Sequence, residues 1–310
     1  MWHHNFNNRR AANSQLAFRG YGVYRASLAT QRQQVAAPTI QAQPYKRPKI
    51  NMQNLNEKTI TQLKALAEKY ETHSFIENDP SQFLYKFQNQ QDTEIISFIA
   101  AMLSFGKRDQ FIKKINYILE KCQNSPYNWI KNKNYLENFI EKDQTPSSTF
   151  YRFYTNQDML SFFDELSEIL EKHKTFENCV KSQYQQKIKT EPEISLDQII
   201  SRIFPKSKIV AKGKNSANKR IQMFLRWMVR DNSPVDKGFW TWYPKDKLII
   251  PLDTHVLQQS KNLGLIFENA TGTRKTAMEI TKSLKQVFPD DPVKGDFALF
   301  GLGIQLSQTF

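Results

Sequence analysis

The sequence predicts an all-α fold. Apolar residues recur at helical spacing over most of the chain beyond Met52, alternating apolar–polar runs are nearly absent, and no internal repeat is visible. Over residues 59–70, Ile60, Leu63, Leu66 and Ala67 fall on one stripe. Residues 78–81 read as a capping turn before 83–87. Residues 94–105 are apolar nearly all round, which predicts a buried helix ended by Gly106. Asp109 is placed to cap a helix over 110–122. Further helices fit 134–141, 158–173, 176–185 and 196–204. The clearest helix is 216–230, with Ile221, Phe224, Leu225, Met228 and Val229 facing inward. Asp253 opens 254–262, and helices over 273–288 and 292–306 close the chain. The one strand candidate is 247–251.

Composition narrows the function classes. With 39% hydrophobic and 13% aromatic residues, the 310-residue chain can build a core. The longest apolar run, near 95–103, falls well short of the ~18 residues of a membrane span. Two distant cysteines, Cys122 and Cys179, exclude a disulfide framework, a four-cysteine zinc site and a cysteine-ligated iron–sulfur cluster. Asp290, Asp291 and Asp296 could suggest a cation site, but Asp290-Asp291-Pro292 reads more simply as a helix cap with a first-turn proline and favourable dipole charge. Nothing in the residues asks for a metal or another cofactor.

The charge is +14, and eight of the basic residues lie within 1–50, where no acid occurs. Residues 1–51 therefore read as a disordered basic extension to a folded 52–310. Such acid-free starts resemble mitochondrial transit peptides; the alternative is an unstructured extension, with Met52 opening the domain and the protein in cytoplasm, nucleoid or nucleus. A second concentration runs from Ser201 to Arg230: nine basic residues and no acid. It predicts salt-dependent contact with a polyanion, nucleic acid before any other.

Two segments stand out within this frame. One is Lys212-Gly213-Lys214-Asn215-Ser216-Ala217-Asn218-Lys219-Arg220, leading into an apolar helix. The other is Ile250-Pro251-Leu252-Asp253-Thr254-His255-Val256. Pro251 imposes an extended approach, and Asp253 then meets the N–H groups and dipole of a helix start, which favour its ionised form. Asp253 alone reads as a helix cap and Lys219 alone as a surface lysine.

Together these segments resemble the helix-hairpin-helix DNA glycosylases of the endonuclease III superfamily. In that superfamily a lysine starts the helix after the hairpin, and a later "VDTH" aspartate caps a helix facing it. A third segment, Leu103-Ser104-Phe105-Gly106-Lys107-Arg108-Asp109, is similar to the superfamily's "LLSAQATD" stretch. A closer likeness is to a bacterial family of unknown function, carried by LRWMVR at 225–230, PLDTHV at 251–256 and DDPVKGDFALFGLG at 290–303.

The resemblance implies a two-lobed helical fold, with 91–250 forming most of one lobe and 52–90 plus 251–310 the other. It implies base excision from damaged duplex DNA with associated lyase activity, Lys219 as nucleophile and Asp253 as its partner. Lys107, Arg108, Lys212, Gly213, Lys214, Asn215, Ser216, Arg220, Arg226 and Arg230 would then touch DNA. Phe105, Trp227, Trp240, Trp242, Tyr243 and His255 would line the base pocket. For the aromatics core packing is the other reading, and for Arg226 and Arg230 it is pairing with Asp231 and Asp236. The sequence departs from the superfamily in keeping a single hairpin glycine, Gly213, and in lacking the terminal cluster cysteines. The 34-residue step from Lys219 to Asp253 resembles the archaeal-type 8-oxoguanine glycosylases. An inactive nucleic-acid-binding protein, on DNA or organellar RNA, is the alternative from another class.

Overall fold

The computed structural model describes residues 54–307; the extension expected over 1–51, with its transit-peptide reading, lies outside the described residues. Helix α1 (Glu57–Tyr70) starts where the Asn56 side chain accepts from the Thr59 N–H at 2.8 Å, and it buries Leu63 and Ala67. Two 3₁₀ turns follow, His73–Asn78 and Pro80–Tyr85; between them Asp79 accepts from the Ser81 N–H at 2.9 Å. Helix α2 (Gln90–Leu103) is buried continuously from Asp92 onward and forms the axis of the fold. It ends two residues before the expected Phe105: Ser104 turns its hydroxyl back to the Ala100 carbonyl, and Gly106 takes φ +82°. Helix α3 (Arg108–Lys121) has no side-chain cap, so Asp109 serves as a first-turn acid and not as the expected cap.

The helix expected over 134–141 is confined to α5 (Tyr135–Asn138), and before it stands a helix the sequence did not predict, α4 (Pro126–Lys131). A hairpin of strands β1 (Thr149–Tyr151) and β2 (Tyr154–Thr155) leads into α6 (Asn156–His173), which opens with a capping box of Thr155 and Asp158. Then come α7 (Phe176–Lys187), α8 (Leu196–Ile203) and α9 (Lys219–Val229). The strand expected over 247–251 does not form; a 3₁₀ turn at Lys245–Lys247 and an extended, buried stretch stand there instead. Helices α10 (Thr254–Asn262), α11 (Arg274–Leu284) and α12 (Gly295–Ser307) complete a mostly helical chain. Among the described residues no helix is long and apolar enough to cross a membrane.

Buried apolar side chains form two clusters. The larger surrounds α2, where the Phe98 ring meets Phe162, Phe176, Phe204 and Phe224 at 4.6–5.7 Å. The smaller gathers Leu63, Ile250, Leu252, Val256, Ile280, Leu284 and Leu299. Helix α1 packs on α12 with the Tyr70 ring set against Gly301, in the space a Cβ there would take.

One buried acid makes stability pH-dependent. Glu94 on α2 accepts from Gln90 Nε2 at 2.9 Å and Trp240 Nε1 at 2.8 Å, and burial pushes its carboxyl from 4.5 up to about 7. A raised acid stabilises the fold through its bound proton. That contribution is complete below 4.5 and is lost as pH rises through 7. It amounts to roughly 3 kcal/mol at most. Glu94→Gln keeps the acceptor without the charge. Thermal melts across this range are expected to fall less with pH in the variant than in the parent, and to cross in the variant's favour above neutrality. Parallel curves would contradict this.

Candidate active site

Residues 204–218, joining α8 to α9, hold their shape through groups distant in sequence. Glu165 on α6 accepts the Lys206 and Ser207 N–H groups, each at 2.7 Å. Lys212 donates its ammonium to the carbonyls of Pro205 and Ser207 at 2.8 and 2.5 Å, so it closes the loop on itself. The Asn215 carbonyl accepts from the Arg274 N–H at 2.9 Å. Gly213 lacks the positive φ seen at Gly106, Gly238 and Gly264. Asn218 takes φ +49°, with its amide donating at 2.9 Å to Asp197, which in turn pairs with Arg274. That left-handed residue delays the helix expected from 216, and α9 begins at Lys219.

Asp253 caps α10 as its position predicts: Oδ1 accepts from the Val256 N–H at 2.8 Å. Its other oxygen, Oδ2, meets Lys219 Nζ at 2.9 Å. The cap and the ion pair therefore use different lone pairs of one carboxylate. Both residues line a cavity of about 380 Å³, within the range of about 300–1,000 Å³ typical of small-molecule sites. Its walls include Asp79, Phe105, Arg108, Met223, His255 and Phe300. Burial raises the Asp253 carboxyl, but the Lys219 charge, the Val256 N–H and the His255 charge outweigh it and hold the group below its ordinary value. Asp296 behaves oppositely: burial pushes it up to about 6, against the pull of Arg226, and the Asp253 charge adds to the rise. Burial also raises Asp79, although Ser81 and the charges of Arg226 and Arg108 oppose it.

The remaining expected site residues divide sharply. Phe105, Arg108 and His255 join Lys219 and Asp253 at the cavity. Lys107 is exposed at the N-cap of α3, and Gly213, Lys214, Asn215 and Ser216 are exposed before α9. Arg220 is half-buried and donates to the Met102 carbonyl and, at 3.2 Å, to the Tyr154 hydroxyl, so it fastens α9 to the end of α2.

Arg226 and Arg230 are not DNA ligands: they are 4% and 1% exposed and their guanidinium groups are spent on carboxylates. Arg226 pairs with Asp236 and Asp296; Arg230 pairs with Asp236, with Asp291 at 2.7 Å and with Glu71 at 2.8 Å. The Asp291 carboxylate thus goes to Arg230 and makes no cap bond at Pro292–Lys294. Trp227, Trp240 and Tyr243 are buried in the larger core cluster, and Trp242 packs half-buried against it. Trp240 stacks near Trp242 at 6.2 Å and donates to Glu94, away from the cavity walls. These four aromatics are core, the alternative the sequence left open.

Sequence reasoning missed Asp79, Phe111, Met223, Phe300 and Gly303 on the cavity walls. Asp79 followed by Pro80 is legible as a cap, but nothing local points its segment at Asp253. The β1–β2 hairpin was also missed, because strands of two or three residues carry no readable period.

Fold and site together define a mostly helical protein with a lysine–aspartate pair set in an aromatic-walled cleft. The chain belongs to the family described as Protein of unknown function (DUF2400), whose model matches residues 79–305. No curated protein and no solved structure matches it.

Proposed function

We propose that this protein is a DNA base-excision glycosylase with associated lyase activity, acting on an oxidised base, an oxidised purine such as 8-oxoguanine being the first candidate. One observation carries the reading: Lys219 and Asp253, 34 positions apart in sequence, stand 2.9 Å apart at the wall of a cavity. A purely nucleic-acid-binding protein needs no such pair. The resemblance of these segments to those of the endonuclease III superfamily and the long interval between the two residues support the same reading.

Damage recognition inside a duplex requires rotating the nucleotide out of the stack, at roughly a few kcal/mol. The base would enter beside Phe105, Met223 and Phe300, while exposed Lys107, Arg108 and Lys214 meet phosphates. Once its ammonium has released a proton to water, Lys219 Nζ forms a bond to the anomeric carbon, and the glycosidic bonding pair leaves with the base, which takes up a proton from water. Loss of the amine proton and opening of the sugar ring give a Schiff base, from which the 3′ phosphate can be eliminated. A carboxyl held below its ordinary value is a weak base. Asp253 is therefore better suited to stabilising positive charge on the sugar than to keeping the lysine proton.

Borohydride reduction during incubation with duplexes carrying defined lesions tests the reading. A protein–DNA adduct is expected with at least one oxidised purine. No adduct with any lesion or abasic site, alongside salt-sensitive DNA binding, would replace the enzyme by the binding protein.

A further inference from the structure

We propose that the tip of the β1–β2 hairpin, Arg152 and Phe153, is a nucleobase-stacking contact at the lip of the Lys219–Asp253 cleft. This deepens the preceding reading by naming a contact through which a strand is held, and it rests on nucleic acid being the partner. Phe153 is 68% exposed, more than Leu136 at 60% or any other exposed large apolar side chain among the described residues. The fold anchors this ring in solvent, and the residue it leans on, Phe105, belongs to the cleft.

The ring is held in place. The Tyr151 hydroxyl donates to the Phe105 carbonyl, tying β1 to the loop between α2 and α3. One side of Phe153 leans on Phe105 and Tyr154, with ring centres 5.2 and 4.6 Å away. Arg152 turns the tip with φ +53°, and its guanidinium lies 5.9 Å from the Phe105 ring centre. The hairpin also lies flush on the loop, since a Cβ at Gly106 would come within 2.7 Å of Arg152 Nη1. Phe105 and Gly106, which support the tip, themselves line the cavity. The exposed ring and the site therefore share one rim.

The nearby charge selects the occupant. Arg152 is exposed at the tip, Gly106 beneath it runs directly into exposed Lys107 and Arg108, and Asp109 is the acid near enough to act on Tyr151. An open aromatic face among cations suits an unpaired base whose flanking phosphates those cations neutralise. In a strand whose neighbouring nucleotide occupies the cavity, Phe153 would cover the exposed face of the adjacent base.

The test uses the full chain and duplexes with a one-nucleotide gap, with 2-aminopurine beside the gap. Binding is expected to quench the aminopurine emission. Phe153→Ala is expected to abolish that quench and weaken binding roughly 5- to 150-fold, the range that stacking of one base supports, while Phe153→Trp restores both. An exposed side chain leaves the fold intact, which matching melting temperatures will verify. Parental affinity and quench in Phe153→Ala would overturn the proposal. Loss of binding in Phe153→Ala, with no borohydride adduct from the parent on any lesion, would uphold this contact while the glycosylase reading fails.

Discussion

Lys219→Gln is expected to yield no borohydride-trapped adduct on any substrate the parent traps, and Asp253→Asn to slow adduct formation about 10²–10³-fold. The two substitutions remove different things. Glutamine has no nucleophilic amine, so the covalent route closes outright. Asparagine keeps an oxygen able to accept the Val256 N–H and remains a good helix cap, so α10 survives. What it removes is the negative charge 2.9 Å from Nζ. A rate loss with an unchanged melting temperature therefore reports chemistry and not folding. Single-turnover trapping measures it, and adduct formation at the parental rate in Asp253→Asn would remove the aspartate from the mechanism.

The second large effect is on stability. Arg230 stands just past α9, at its C-cap, with Asp236, Asp291 and Glu71 around its guanidinium, and both it and Arg226 lie over the Phe297 ring, at 5.4 and 4.4 Å. Arg230→Met keeps the bulk but strips Asp291 of its cation and leaves the buried Asp236 and Glu71 to Arg226 and to a 3.8 Å contact with Lys294. Removing one partner of a buried network typically costs about 3–5 kcal/mol, and domains of this kind have only about 5–15 kcal/mol in total. A urea midpoint lowered to the point of marginal folding is expected. Converting Asp236, Asp291 and Glu71 to their amides in the same chain should recover part of the loss, since the cost lies in the unpaired charges. A single variant within 1 kcal/mol of the parent would show that the network carries little of the stability.

The same network explains two of the sequence signatures. LRWMVR supplies Arg226 and Arg230, and DDPVKGDFALFGLG supplies Asp291, Asp296 and Phe297, so segments more than 60 residues apart are the two halves of one charged joint between α9 and α12. That joint places Asp296 close enough to feel the charges of both Asp253 and Lys219. What looked like a phosphate-binding face is the support beneath the candidate site.

Much of the helical content was legible because its causes are local. The apolar stripe of α9, the cap of α10 at Asp253 and the opening of α7 at Phe176 each follow from residues within one or two turns. Boundaries failed where a distant group intervened: the start of α9 moved from 216 to Lys219 because Asp197 and Arg274 hold Asn218 in a left-handed conformation. The four expected pocket aromatics failed for a related reason, as aromatic character does not say which side of a helix or loop meets the core.

The sequence by itself determined an all-α chain, the two segments bearing Lys219 and Asp253, and the ionised cap, all through hydrogen bonds and apolar periodicity acting over a few residues. Only the tertiary structure decided where the charge goes. The stretch from Ser201 to Arg230 contains no acid, yet Glu191, Glu168, Asp158, Asp253, Asp236 and Asp296 reach it from elsewhere. Electrostatic pairing depends on distance in space, which no local count of charges contains, and the same rule that gave most of the basic run a carboxylate neighbour brought one amine and one carboxylate together at a cavity.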